Sequence, residues 1–436
     1  MNLPSLQMPS LQMPSLQMPS IKMPSVDSTS DIWKWGTLIF ILVLMCIYLG
    51  IAIGYRNMYG TFREDSKSIS NLLTIRRQEL GSKIDSLVPN TTSVCSMMLQ
   101  KTAAWKDISQ NASALVNWRP LTVRLSGYLG GINGPRDGVF DMTKGIRMAL
   151  HLGARAFFFE LDYLESKPCN PLILFRDDQG IKRSLMGGSL NEGIKTLSTY
   201  SFSDNYDPVL VILYFNRIPS GSNQKKNFFI NVAKALDPLS SNHLGITEAG
   251  NFHGCNKESI LFTSPLCNYQ KKFIIVSNYN TFNLDSTSNP KDNLHFWTNA
   301  RIYTDQDGNG SFIGSTTTGV ASGGTAYIQV GATNQLVNMP NEGITKYSNK
   351  ANIFKISMAP PDYKYTYKEL EFLMNQLGIN CIPLNIFNDA ITMEHLKTLQ
   401  NKNNKPNPTL LKELSTATND KDLLSFWTYG GWSYKN

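Results

Sequence analysis

The stretch GARAFFFELDY, Gly153 to Tyr163, runs three phenylalanines straight into two carboxylates. In a β-strand successive side chains alternate faces, so Phe158, Glu160 and Asp162 share one side and Phe157, Phe159 and Leu161 the other. Carboxylates are seldom left in a core unless they are paired, bound to metal or facing water. Two readings stand for this stretch. It is either a strand end emerging into solvent or a metal or acid–base site at the mouth of a barrel.

Outward from this strand, short apolar runs alternate with helical patterns from about Leu121. "LTVRLS" precedes "DMTKGIRMALHLG", a predicted helix capped by Asp141 and ended by Gly153. "PLILF" follows, then "SLNEGIKTLSTYSF", where Ser189 and Glu192 have capping-box spacing. "PVLVILYF", "SILF", "KKFIIVSN", "IFKISMAP" and "INCIPLNIF" are further predicted strands, and "NQKKNFFINVAKAL" a helix. About eight strands with intervening helices predict an α/β fold, a (β/α)8 TIM barrel, over 121–436. Between about 280 and 350 the pattern dissolves into Gly, Thr, Ser and Asn and reads as an insertion with a hairpin at "GTAYIQVGA". Within it "DQDGNGSF" has the look of a calcium loop, but Thr316 replaces the bidentate Glu, so an ordinary Asx/Gly turn is expected.

The N-terminal part is organised differently. Residues 1–31 carry the pentapeptide repeat "LPSLQ MPSLQ MPSLQ MPSIK MPSVD", whose recurrent Pro denies helix and leaves an extended tail. Such a tail serves either as a disordered lead or as a multivalent docking strip for a protein partner. Residues 32–56 contain an uncharged apolar run, Trp35 to Tyr55, of the roughly 20 residues that cross a bilayer. With Trp33, Trp35, Tyr48 and Tyr55 near its ends, it reads as a single-pass transmembrane anchor. Residues 57–120 read as a juxtamembrane stalk and linker. Arg56, Arg63 and Lys67 place the large C-terminal part on the cytosolic side, whereas sequons at Asn90, Asn111 and Asn309 belong to a secretory lumen, so the side stays open.

A formal charge of +8 is modest for 436 residues. It forms no Lys/Arg stripe interleaved with aromatics, which argues against nucleic acid as a partner. A basic surface beside a membrane is the simpler use of it. The six cysteines include no Cys-x-x-Cys, which argues against a zinc ribbon or a thioredoxin-like site. Cys255 and Cys267 flank a short apolar segment, as a bridged loop or as two free thiols.

The order "VRLSGYLGG…MTKGIRMALHLGARAFFFELDY…NPLILFRDDQG…SLNEGIKTLSTYSF…YDPVLVILYFN" resembles the X-domain half of phosphoinositide-specific phospholipase C and the PLC-like phosphodiesterase barrels. "SPLCNYQKKFIIVSN" and the closing "FWTYGGWSYKN" continue the likeness from about Leu121 to the C-terminus. The resemblance implies two catalytic histidines and a calcium ion, or an arginine in bacterial relatives, that neutralises the phosphate. It places the first histidine at Gly127 and the metal-binding Asn at Tyr128. Glu160 and Asp162 keep the metal-binding carboxylates, the second histidine falls at Arg176, and the later carboxylate becomes Asn216. Glycine has no side chain, and arginine stays protonated and exchanges no proton near neutral pH. General acids and bases contribute about 10²–10⁴ each in rate, so the resemblance implies a catalytically degenerate barrel. Arg176, Tyr128 and Asn216 are then the candidate ligand-binding groups for a phosphoester such as an inositol phosphate, and Glu160 with Asp162 half of a calcium site. Two rival readings remain: an active phosphoric diester hydrolase with relocated catalytic groups, and an architectural envelope or virion membrane protein.

Overall fold

The computed structural model describes residues 35–51, 74, 78, 114–129, 139–176, 180–184, 186–203, 205–254, 259–281, 284, 289–303, 327–348, 353–386, 426–427 and 431–435. The repeat tail, residues 57–113 apart from Thr74 and Gln78, and the "DQDGNGSF" loop lie outside the described residues. By internal contacts the chain divides into two units, Met1–Asn71 and Leu72–Asn436. In the first, residues 35–51 form a helix whose large apolar side chains are exposed, from 49% at Leu44 to 74% at Tyr48. Residues 52–55 of the expected span lie outside the described set. Among the described residues no helix is long and apolar enough to cross a membrane.

The second unit is built on strands β1 (Thr122–Arg124), β2 (Ala156–Leu164), β3 (Lys167–Ile173), β4 (Gly188–Ser189), β5 (Val209–Phe215), β6 (Phe273–Ser277), β7 (Ala300–Tyr303), β8 (Tyr327–Ala332) and β9 (Phe354–Met358). The neighbours β1-β2-β5-β6-β7-β8-β9 all pair in parallel. The sheet is curled, and Cys381–Leu384 joins its edges. Ser357 N–H donates to the Cys381 carbonyl at 3.0 Å on the β9 side, and Leu384 N–H to the Thr122 carbonyl at 2.9 Å on the β1 side. Among the described residues of the second unit lie the helices α1 (Met142–His151), α2 (Leu190–Tyr200), α3 (Ser222–Ala235), α4 (Leu294–Trp297), α5 (Thr333–Val337), α6 (Asn341–Ser348) and α7 (Tyr367–Glu371), which runs on as a π turn.

Strand alternation sorts the apolar residues into two cores. Ala156, Phe158, Leu210, Ile212, Ile274, Val276, Ile302, Ile328 and Phe354 point into the curl and pack on one another. Phe157, Phe159, Leu161, Val211, Leu213 and Ile275 point outward and pack on Met148, Ile194, Leu197, Phe228 and Val232. Strands buried on both faces read as continuous apolar runs, which is why "AFFF" and "VLVILYF" lack polar alternation. Asp141 Oδ1 accepts from Lys144 N–H at 3.0 Å and caps α1 as its sequence predicts. Ser189 caps α2 through Glu192 N–H at 3.2 Å, while the Glu192 carboxylate accepts from Thr143 rather than closing the box.

Several expectations are corrected. "PLILF" falls in and after β3, which turns back antiparallel on β2 and is no part of the parallel ring. "SILF" forms turns whose Leu261 and Phe262 are buried among the inward-facing residues. The supposed insertion at about 280–350 contains β7 and β8, and "GTAYIQVGA" supplies a parallel strand between β7 and β9 instead of a hairpin. Its strands are short and its loops rich in Gly, Asn and Thr, so loop composition swamped the apolar signal. Within that stretch residues 282–283, 285–288, 304–326 and 349–350 lie outside the described set.

Burial lowers the pKa of His243, His253 and His295 from the usual histidine value. The unfolded chain therefore takes up protons first as pH falls through about 6.5, and this contribution to stability, complete above that value, is lost below it. The unfolding midpoint should drop between pH 7 and 5; a flat profile would contradict the buried placement of these rings.

Candidate functional site

Glu160 and Asp162 lie on the inward face near the C-terminal end of β2, as their spacing requires, and both are buried. Neither is left as an open carboxylate. Arg124, at the end of β1, donates Nη2 to Glu160 Oε1 at 2.5 Å and Nε to Oε2 at 3.2 Å. Its Nη1 donates to the carbonyls of Ala359 and Pro360, at 2.8 and 3.2 Å. The guanidinium also lies 6.0 Å from the Phe158 ring. Across the strand pair Glu160 is in register with Tyr214, whose phenol burial pushes up, helped by the Glu160 charge.

Asp162 is held from the other side. β3 folds back on β2, and Arg176 just beyond it places Nε 2.5 Å from Asp162 Oδ2, with Nη1 on the Gly180 carbonyl at 3.0 Å. Arg217 Nη1 stands 3.6 Å from Asp162 Oδ1, and the Tyr163 N–H donates to that same oxygen at 2.7 Å. Arg217 also pairs with Glu165 and lies 4.5 Å over the Tyr163 ring. Arg176 and Arg217 keep 22% and 34% of their side chains exposed, so the outer layer of the mouth presents guanidinium groups to solvent.

These residues do not fit a calcium ion. A calcium site needs 6–8 oxygen ligands, and here the two carboxylates spend their lone pairs on three arginines whose charge repels a cation. Among the described residues no group of three or more His, Cys, Asp or Glu side chains could hold a metal. The other two positions implied by the resemblance do not converge on the pair. Tyr128 is a buried core aromatic, 5.3 Å from the Phe140 ring and 4.9 Å from that of Phe175. Asn216 has an exposed side chain, and its N–H donates to the Leu161 carbonyl at 2.9 Å. Of the sequence-derived set the structure brings together Glu160, Asp162 and Arg176.

Gly127, where the resemblance places the first histidine, has no room for a side chain. Its φ is +87°, and a Cβ there would stand 2.3 Å from the Asp141 carbonyl oxygen. The turn is pressed onto α1, where a Cβ on Gly145 would stand 2.0 Å from the Gly127 nitrogen. The described histidines are placed elsewhere. His243 Nε2 is 2.9 Å from the Trp297 carbonyl, His253 packs edge-on to Tyr269, and His295 Nδ1 is 3.2 Å from Thr281 Oγ1. His151 occupies the last turn of α1, ahead of the start of β2.

Sequence reasoning missed Arg124 and Arg217. A signal existed for the first: Arg124 is a lone charge in the apolar run "LTVRLS", on the same strand face as Thr122, and a charge in a buried strand calls for a partner. Arg217 follows a strand end and carries no such mark.

No family model matches the chain, and no relative is found among curated proteins. Solved structures of phospholipase C proteins are similar to it. L. pealei PLC21 has a TM-score of 0.48 at 11% identity over 74% of this chain and 37% of that one. S. officinalis PLC21 has a TM-score of 0.42 at 14% identity, covering 66% of this chain and 36% of that one. The chain thus spans little more than a third of either protein. A calcium-dependent phosphoinositol-specific phospholipase C from a Pseudomonas species has a TM-score of 0.36 at 12% identity, over 65% of this chain and 94% of that one.

Proposed function

We propose that this chain is a membrane-anchored PLC-like (β/α)8 barrel without phosphodiesterase turnover, whose mouth binds a phosphoester or lipid headgroup. The observation that carries the reading is the mouth itself, where guanidinium groups stand in place of imidazoles and metal. Arginine holds phosphate through charge-assisted, paired hydrogen bonds but does not exchange a proton near neutral pH. Arg176 and Arg217 are the groups with exposed donors for such a ligand. Asp162 orients both, so a bound anion would meet preset guanidinium planes. The anchor rests on the uncharged run of residues 35–55 and on the exposure of its described helix. The repeat tail is then the segment offered to a protein partner.

The test uses the full chain in detergent. Release of labelled inositol phosphate from phosphatidylinositol should be absent both with calcium and with chelator. Inositol phosphate should bind, and Arg176→Met should weaken binding about tenfold, the order of one charged hydrogen bond. Carbonate extraction of membranes should leave the chain in the pellet. Turnover, or binding indifferent to Arg176, would overturn the binding-module reading, and release into the supernatant would overturn the anchor.

A further inference from the structure

The end of the barrel opposite the mouth carries a second group of charges. Trp118–Pro120, just before β1, pairs antiparallel with Trp432–Tyr434, and Trp118 and Trp432 close the inward-facing core from below. Asn380 ties this floor to the ring, donating to the Val116 and Trp118 carbonyls at 2.7 and 2.9 Å and accepting from Lys355 N–H at 2.9 Å. Arg119, Lys355 and Lys435 gather beneath it.

Lys355 is satisfied by the carbonyls of Tyr347 and Leu377, at 2.8 and 3.1 Å. Arg119 is 3% exposed; its Nη1 donates to the Tyr434 carbonyl at 2.9 Å and its Nη2 to that of Met374 at 2.5 Å. Its Nε, however, is buried with no acceptor, and so is Lys435 Nζ. Among the described residues neither Arg119 nor Lys435 has a carboxylate partner. Burial and the charges of Lys355 and Arg119 drive the Lys435 ammonium well below its usual pKa, with only the Cys381 thiol acting the other way. Neutralising Lys435 would remove a charge but leave the orphaned donors. An orphaned buried donor is costly, and unbalanced like charges at low dielectric are costlier.

We propose that a monovalent inorganic anion of the halide class binds in this floor between Lys435 Nζ and Arg119 Nε, and locks the C-terminal strand to the barrel. One anion would supply the acceptor that both donors lack and a negative charge beside Arg119 and Lys435. A halide suits the place better than a phosphate. Arg119 has already committed both Nη atoms to carbonyls, so no fork is free for an oxyanion. Burying a multiply charged ion also costs far more than burying a single charge.

Thermal unfolding of the full chain in detergent would be followed in potassium chloride and in potassium gluconate at equal ionic strength. The midpoint should be higher in chloride by about 2–5 °C and should saturate, as expected for a ligand bound to the folded state alone. Bromide should replace chloride. In Lys435→Met the chloride and gluconate midpoints should coincide. Equal midpoints for the wild type, an increment that survives in the variant, or stabilisation by phosphate and not by chloride would each overturn the proposal. Should the variant not fold, bromide-grown crystals of the wild type decide the matter. An anomalous peak within hydrogen-bond reach of Lys435 Nζ supports the site, and its absence there refutes it.

Discussion

Gly127→His is expected to destabilise the barrel severely and to leave it without phosphodiesterase activity, although it puts an imidazole where the resemblance implies one. The backbone there has φ +87°, a region where a β-carbon is strained whatever the space around it. Space is also lacking. The added Cβ would stand 2.3 Å from the Asp141 carbonyl oxygen, 2.7 Å from its carbon and 2.9 Å from Met142 Cα. All three are backbone atoms at the start of α1, so no rotamer change relieves the contact. The turn is pinned from both sides, because Gly127 O accepts from Asp141 N–H at 2.7 Å while Gly145 abuts Gly127 from the first turn of the helix. Strain plus overpacking should cost about 4 kcal/mol or more and lower the midpoint by on the order of 10 °C. Calorimetry beside the inositol phosphate assay reads both effects. A variant that unfolds with the wild type would refute the clash, and one that gains turnover would refute the inert reading of the mouth.

The second large effect is expected at Arg124. Its side chain and that of Glu160 are each 3% exposed, and their two-point contact is sealed from water. Removing one partner strands the other as a buried charge, which typically costs about 3–5 kcal/mol, whereas replacing both with apolar groups of similar volume is often neutral. Arg124→Met alone, or Glu160→Leu alone, should therefore be strongly destabilising. The double variant should recover most of the loss, giving a large coupling in a double-mutant cycle read by chemical denaturation. Two carbonyls, of Ala359 and Pro360, also lose their donor in Arg124→Met, so recovery should fall short of complete. A single variant costing under about 1 kcal/mol would show that the pair is hydrated. This pair fixes what Glu160 is: a structural anion that closes the inward core above Phe158, not a metal ligand waiting for its ion.

The sequence by itself determined the local periods. The alternation in "GARAFFFELDY" places Glu160 and Asp162 on one face of their strand before any neighbour is known, because the pleat has a period of two. The caps at Asp141 and Ser189 and the helices α1, α2 and α3 were equally legible, since each depends on residues within a few positions. What lay beyond it were choices made by partners distant in the chain. Short strands such as β7 and β8 declare themselves only when neighbours on both sides supply their hydrogen bonds, so their loop-like flanks concealed them. "PLILF" is as apolar as a ring strand, and only its return against β2 makes it antiparallel. The meaning of the two carboxylates was decided in the same way. Whether a buried acid is a metal ligand or half of an ion pair depends on which charge the fold brings to it. Here Arg124 is 36 residues from Glu160, and Arg176 is 14 from Asp162 and reaches it through the β2–β3 hairpin. Charge pairing is a property of distance in space, on which the order of residues is silent until the sheet curls.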